Sequence, residues 1–590
     1  MSHHSTQYDR RAFLAVAGGT VAGLAATRAL AMTSGNRRGL VVSQSEAAET
    51  GMEILAAGGN AVDAAVAAAL VGCVVNVSKC GIAGYGGHLV IGLQDGKATA
   101  IDFNSAAPAA ARADMFPVDK NGSVKGNINE RGWLAAGVPG TLAGLQLAHE
   151  KYGTLPWERI LQPAIRWARN GFPLPMSYPF WRDPSQPNVP RDLASARLFS
   201  RNGKPLKKGE TYRNPDLADI LQHLAESGSV EAFYRGEIGR RIAEAFQKNG
   251  GIVTVEDMAS YKAREVTPLI IEWRGYRIAT APLTAGGLTI LQAICALKAL
   301  GWPRSGVSPI LRDNASFRET RLRVSPSPAR TQAWLEALRI AWGDRLELFG
   351  DPLHVDVPIE RLLSEQYAQQ SANKIKSAIA DRRPVPVASD GRTVDGTLHV
   401  SAVDAGGMMV SATLTHGNSF GAQVAVEGLG LILGHGMSRF DPLPGRPNSI
   451  APGKRPLHNM CPTIVFRDGR PVLALGATGG RRIPNAVFQV LLSFIGDGGS
   501  LEDAVAVPRL HTEGGMNIHA EPGVAEADIK HLKEIGYKIQ SPLPSFVYSV
   551  EQPATKDLDS TRPLGVADHV AGDETPPGIR DPHPTISRAQ

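Results

Sequence analysis

The residues best placed to do chemistry lie in two alternating segments, 397–404 and 408–415, joined by Ala405-Gly406-Gly407. A three-residue loop with glycine available for a left-handed position closes an antiparallel hairpin. With Asp404 opposite Met408, Thr397 faces Thr415, His399 faces Thr413 and Ser401 faces Ser411. Leu398, Val400 and Ala402 then face Leu414, Ala412 and Val410. The plainest account is an edge hairpin with one face in water and one on a core. It leaves the concentration of hydroxyls unexplained. Directly opposite side chains have Cβ atoms about 4.5–5.5 Å apart, so the hydroxyls of Thr397 and Thr415 come within hydrogen-bonding reach.

A second candidate is the apolar run 472–475, followed by Gly476-Ala477-Thr478-Gly479-Gly480 and then a helical pattern over 483–495 with Pro484 in its first turn. Backbone N–H groups at such a helix start point outward, and glycines let an oxygen anion approach them. A phosphate loop would need Gly-Lys-Ser/Thr after the glycines, which is missing. Gly417-Asn418-Ser419-Phe420-Gly421 matches Gly-x-Ser-x-Gly, but a nucleophile elbow needs a helix after the serine. Residues 422–433 read as a strand instead.

These segments need a scaffold. Residues 45–74 carry helical spacing broken at Gly58-Gly59, with Asn60 and Asp63 offering a new helix start, so two packed helices are expected. Runs at 89–93 and 98–103 around Asp95-Gly96 form a hairpin. Helical patterns recur at 142–149, 157–169, 217–225, 238–248 and 290–300, while 303–332 and 381–393 look like exposed loops. Strand-like runs follow at 399–403, 408–415, 424–433, 463–466 and 472–475. The expected class is α/β layered, with helices covering sheets that both ends of the chain complete.

The composition narrows the function. Among 590 residues, 43% are hydrophobic, 20% are charged, and Gly (63) with Pro (41) stays below the level of low-complexity chains, which excludes fibrous and disordered classes. A net charge of +6 without a basic stripe disfavours a nucleic-acid partner. Four cysteines without a Cys-x-x-Cys pair disfavour a zinc site or a disulfide scaffold. No metal or cofactor is expected. Arg10 and Arg11, an apolar run over 12–27 and Ala29-Leu30-Ala31 have the order of an export signal over 1–31, of twin-arginine type. The run is shorter than the roughly 20 residues that span a bilayer. The protein is therefore expected outside the cytoplasm, periplasmic or extracellular, without a stable membrane span.

Longer stretches carry a resemblance. They are Ala56-Ala57-Gly58-Gly59-Asn60-Ala61-Val62-Asp63-Ala64-Ala65, Val138-Pro139-Gly140-Thr141, Lys151-Tyr152-Gly153-Thr154, 282–288, Gly350-Asp351-Pro352, Lys454-Arg455-Pro456-Leu457 and Pro462-Thr463-Ile464-Val465. On these the chain resembles the gamma-glutamyltransferases (glutathione hydrolases), which are N-terminal nucleophile hydrolases, over nearly all of residues 40–550. The resemblance implies an αββα sandwich. It also implies self-cleavage between Gly396 and Thr397, leaving a large subunit over 32–396 and a small one over 397–590 with a flexible tail after about 550.

By the same resemblance Thr397 is the nucleophile, Thr415 the threonine beside it, and Gly479 and Gly480 the oxyanion glycines. Cleavage frees an α-amine on Thr397 whose reference pKa of about 7.7–8 suits a general base near neutrality. The substrate would be a small-molecule or peptide amide such as glutathione, with water or an amine as acceptor. The substrate-binding positions depart from the family. Its carboxylate-gripping arginine is Asn104, its asparagine after the second threonine is Gly417, and its Gln and Asp for the α-ammonium are Gly436 and Arg439. Its Ser-Ser pair is His458-Asn459. An asparagine supplies no charged bidentate clamp, and Arg439 reverses a charge. Two alternatives stay open: the same machinery acting on a non-glutamyl, glutaryl-like acyl group, and an exported, non-catalytic peptide-binding relative.

Overall fold

Asn60 starts the second helix. Its side chain accepts from the N–H groups of Val62 and Asp63, and Asp63 Oδ2 accepts from Asn60 N at 2.9 Å, a reciprocal cap that satisfies otherwise orphaned donors. Gly58, at φ 96°, turns the chain between α1 (Ser45–Ala56) and α2 (Ala61–Val75). The structure is a computed structural model that describes residues 39–120, 122–174, 192–303, 310–311, 323–324, 327–387, 397–541, 546–551 and 564–569. The chain divides into Met1–Arg37 and Arg38–Gln590. The expected export signal and Gly396 lie outside the described residues, and everything below concerns the second unit.

Among the described residues twelve strands build the two main sheets: β1 (Leu40–Val42), β2 (Gly86–Gly92), β3 (Ala98–Asp102), β4 (Arg264–Val266), β5 (Leu269–Trp273), β6 (Tyr276–Thr280), β7 (Leu398–Val403), β8 (Met409–Thr415), β9 (Thr463–Arg467), β10 (Arg470–Thr478), β11 (Phe546–Glu551) and β12 (Leu564–His569). The first sheet runs β1-β7-β8-β2-β3-β4 and the second β12-β11-β10-β9-β6-β5. All neighbours are antiparallel. Both sheets draw strands from before and after Thr397, so neither piece of a cleaved chain would complete either sheet alone.

Helix α2 is buried on every side and packs on the first sheet, where Leu398, Val400, Ala402, Val410, Ala412 and Leu414 share its core. Gly72 allows the approach, because a Cβ there would overlap the Leu398 side chain. The second sheet is covered by α3 (Gly287–Leu300), α4 (Pro328–Leu348), α5 (Glu365–Ala380) and α6 (Arg482–Leu491). The layers are therefore helix, sheet, sheet, helix.

Four expectations need correction. The hairpin of β7 and β8 is not an edge with a wet face, since it lies inside its sheet and its polar face is dry. The loop expected to reach 332 ends before Pro328, which opens α4 at a position where proline's missing N–H costs nothing. Residues 424–433 form a short hairpin, Ala425–Val426 with Leu431–Ile432, rather than one strand. Finally, β12 pairs with β11, so Leu564–His569 belong to a sheet beyond the expected tail boundary near 550.

Candidate active site

The hairpin register matches the sequence expectation: Leu398 pairs Leu414, His399 pairs Thr413 and Ser401 pairs Ser411. One step beyond the last pair stand Thr397 and Thr415, 4% and 5% exposed. The layer between the sheets is apolar at the turn end of the hairpin, where Val403, Met409, Val90, Ala100, Ile464, Phe466 and Ala474 cluster. Toward the threonines it becomes polar, through Ser401 and Ser411 to His399, Thr413, His88 and Asp102.

Buried polar groups are costly unless bonded, and these bond to one another and to the facing sheet. Ser411 Oγ donates to Leu475 O at 2.8 Å and accepts from Thr463 N at 3.1 Å. Ser401 Oγ donates to Tyr548 O at 3.2 Å. It therefore accepts from His399 Nε2 at 3.0 Å, which leaves His399 Nδ1 to accept from Thr413 Oγ1 at 2.8 Å. Burial lowers the His399 pKa to about 3, so this neutral tautomer holds near neutral pH. The ring lies on Gly476 of β10, where a Cβ would overlap it. That contact joins the threonine hairpin to the strand carrying the glycine loop.

Thr415 Oγ1 accepts from Gly417 N at 2.7 Å and lies 3.5 Å from Lys79 O, which also accepts from His416 N at 2.7 Å. Gly479 and Gly480 have φ of 120° and 62° and lead directly into α6. Their carbonyls accept from Arg482 N and Ile483 N, both at 3.2 Å. Because N–H and C=O point opposite ways across a trans peptide, the bonded Gly479 carbonyl turns the Gly480 N–H away from the helix. Ser419, by contrast, sits exposed in a turn followed by the short hairpin, which is no nucleophile elbow.

Most of the positions expected to bind substrate are closely packed by their neighbours. Asn104 is fully buried, and Nδ2 donates to Thr284 Oγ1 and Pro456 O, both at 2.6 Å. A Cβ on Gly417, at φ 98°, would overlap the His435 ring, and one on Gly436 would overlap the Ser105 side chain. Arg439 is half-buried at the end of the Gly436–Arg439 turn, and its charge lowers the pKa of His435 and His458, although burial is the larger cause in both.

His458 Nδ1 accepts from Met460 N, so its Nε2 donates to His88 Nδ1 at 2.8 Å. His88 Nε2 then lies 3.4 Å from Asp102 Oδ1, and Arg455 Nη1 lies 2.6 Å from Asp102 Oδ2. Burial pushes the Asp102 pKa up, but Arg455 and His88 outweigh it and hold the carboxylate below its ordinary range. Asn459 Oδ1 accepts from Arg345 Nη2 at 3.3 Å. His88 and Arg345 were not legible as neighbours of the expected site residues. The even spacing of His88 along β2 was the one available signal, since it shares a face with Val90 and Gly92. Among the described residues no three His, Cys, Asp or Glu side chains stand close enough to share a metal ion, and no helix is long and apolar enough to cross a membrane.

The family model described as gamma-glutamyltranspeptidase matches residues 47–574. The chain belongs to the gamma-glutamyltranspeptidase family. Among curated relatives, the glutathione hydrolase proenzyme of Escherichia coli (strain K12) is 35% identical over 523 residues, covering 85% of this chain and 86% of that one. The acylase ACY 1 proenzyme of Pseudomonas sp. (strain SE83) is 34% identical over 512 residues, covering 86% and 88%. Among solved structures, the cephalosporin acylase of Bacillus halodurans superposes with a TM-score of 0.72 at 26% identity, covering 87% of this chain and 92% of that one. The fold is thus the αββα sandwich of N-terminal nucleophile hydrolases, and the chain is an enzyme of the hydrolase and acyltransferase type that this gamma-glutamyltranspeptidase family comprises.

Proposed function

We propose that this chain is an exported, self-processing amide hydrolase whose nucleophile is Thr397 and whose acyl group lacks the α-ammonium of a γ-glutamyl substrate. One observation carries the choice of acyl group: the positions corresponding to the glutamate clamp are occupied otherwise, with both Asn104 N–H groups used internally and Gly417 and Gly436 covered by His435 and Ser105. The positive charge of Arg439 favours a carboxylate where glutamate carries its ammonium. A monoamide of a dicarboxylic acid, such as a glutaryl amide, meets both conditions.

In this mechanism water hydrolyses the peptide bond between Gly396 and Thr397, its oxygen going to the new Gly396 carboxylate and a proton to the freed Thr397 α-amine, which produces the two subunits. That amine takes the proton of its own hydroxyl, and Oγ1 attacks the amide carbonyl. The oxyanion is held by the N–H groups of Gly479 and Gly480, each donor of this kind being worth about 2.7–4 kcal/mol. The amine leaves with the proton, and water or a second amine then takes the acyl group from Thr397. Thr415 orients the nucleophile. The test is a panel of glutathione, γ-glutamyl-, glutaryl- and butyryl-p-nitroanilide offered to the processed enzyme. Turnover led by the glutaryl amide is expected; dominant γ-glutamyl turnover would overturn the shifted specificity while leaving Thr397 in place.

A further inference from the structure

Helix α6 is tied to an extended segment by two side-chain amides acting as pieces of a strand. Asn485 Nδ2 donates to Thr512 O and Oδ1 accepts from Thr512 N, both at 3.1 Å. One turn further, Gln489 Nε2 donates to Leu510 O at 2.9 Å and Oε1 accepts from Leu510 N at 3.1 Å. Leu510 and Thr512 alternate along the segment as Asn485 and Gln489 repeat along the helix, so each amide makes the pair of bonds a neighbouring strand would make. Both side chains are buried. Cohesion alone does not require them, because α6 already packs through Ile483, Ala486, Val487 and Val490, and a buried amide is costly unless fully bonded.

The bonds converge on the start of the helix. Asn485 Nδ2 also donates to Arg481 O at 3.2 Å, and Arg481 Nη1 bonds Glu513 Oε2 at 3.0 Å. Arg482 N and Ile483 N in turn hold the carbonyls of Gly479 and Gly480. Segment 510–513 thereby fixes the rotation and axial position of the turn from which the Gly480 N–H emerges. Donors serve an oxyanion only when they stand about 2.7–3.1 Å from it, and a misplacement of about 1 Å costs on the order of a hundredfold in rate. We infer that Asn485, backed by Gln489, is a positioning residue that aims the oxyanion amides of the Gly479-Gly480 loop. The inference rests on the reading of that loop as the oxyanion site for Thr397.

The test compares Asn485→Ala and Gln489→Ala in the processed enzyme, measuring kcat, KM and Tm on the best substrate of the panel. Both variants lose the same kind of bond pair, so a role confined to stability gives similar Tm losses and an unchanged kcat. Aiming predicts a graded result: kcat falls about tenfold or more in Asn485→Ala and less in Gln489→Ala, while KM stays within about twofold. Wild-type kcat in a folded Asn485→Ala, or equal kcat losses in both variants, overturns the inference. If Asn485→Ala does not fold, Asn485→Asp keeps the acceptor for Thr512 N and removes the donors, and the same loss confined to kcat is expected. Failure of both position-485 variants to give soluble protein assigns the amide to folding alone and overturns the inference as well. Wild-type protein that neither cuts itself nor turns over any amide sinks the Thr397 reading and this one together; active wild type with an unaffected Asn485 variant sinks only this one.

Discussion

His399 Nδ1 lies 2.8 Å from Thr413 Oγ1, two residues along each strand from Thr397 and Thr415. The interior of a sandwich is ordinarily apolar, yet here the layer between the sheets becomes steadily more polar toward the end where Thr397 stands. Ser401, Ser411, His399 and Thr413 are each matched by a carbonyl, hydroxyl or ring nitrogen on a neighbour. The result is a rigid platform in which the strand leading to Thr397 is held by hydrogen bonds with defined directions, which side-chain packing alone does not supply.

Thr397→Ala is expected to remain one uncut chain on a denaturing gel and to lose all amide turnover, while folding normally. Thr397→Ser keeps a hydroxyl on the freed amine and is expected to cut itself and turn over substrate more slowly. A cut Thr397→Ala protein, or an active one, would remove the nucleophile assignment.

Acid should weaken the fold by a definite route. His399 and His416 titrate near 6.5 when unfolded and near 3 in the folded protein, because burial disfavours the cation. Between those values the unfolded chain binds more protons. The stabilisation is therefore complete above about pH 6.5 and is lost as pH falls toward 3, by up to about 1.4 kcal/mol per pH unit for each histidine. Urea unfolding of the uncut Thr397→Ala chain between pH 7 and 5 checks this. Adding His399→Gln should make the pH slope shallower while lowering stability at pH 7.

Gly476→Ala places a methyl group against the His399 ring in the middle of β10. Overpacking of this kind costs about 1–3 kcal/mol. Since the obstacle is one ring, His399→Ala should relieve part of it, and the double variant should lose at least about 0.5 kcal/mol less than the two single losses combined. Additive losses would mean that the strands are not held apart at this contact.

The register of the threonine hairpin was legible in the sequence and the packing around the expected substrate positions was not, for a physical reason. Alternation and a glycine-bearing loop set the register that pairs Leu398 with Leu414 and His399 with Thr413, because both signals are local. Alternation does not say what covers the polar face, so water and a second sheet looked alike until β10 supplied Leu475 O and Gly476. The positions expected to bind substrate are packed by side chains far apart in sequence: Ser105 against Gly436, His435 against Gly417, Arg345 against Asn459. Arg345 comes from α4, a helix buried on most of its surface with Glu336, Arg339 and Arg345 inside. Such a helix shows no polar stripe to mark its period.

The last prediction separates two substitutions that look equivalent in sequence. Asn104→Arg restores the family's residue, but position 104 is fully buried between Thr284 and Pro456. A guanidinium there would meet neighbours already bonded and would carry an unpaired charge into the interior, a cost of about 3–5 kcal/mol. A lower Tm is expected, with no gain in γ-glutamyl turnover. Arg439 is only half-buried, so Arg439→Asp should fold. It should lower kcat/KM for the glutaryl amide about tenfold or more through repulsion and lost attraction, and leave the uncharged butyryl amide within about twofold. Equal losses on the two amides would place Arg439 outside the acyl pocket and leave the carboxylate preference without a cause.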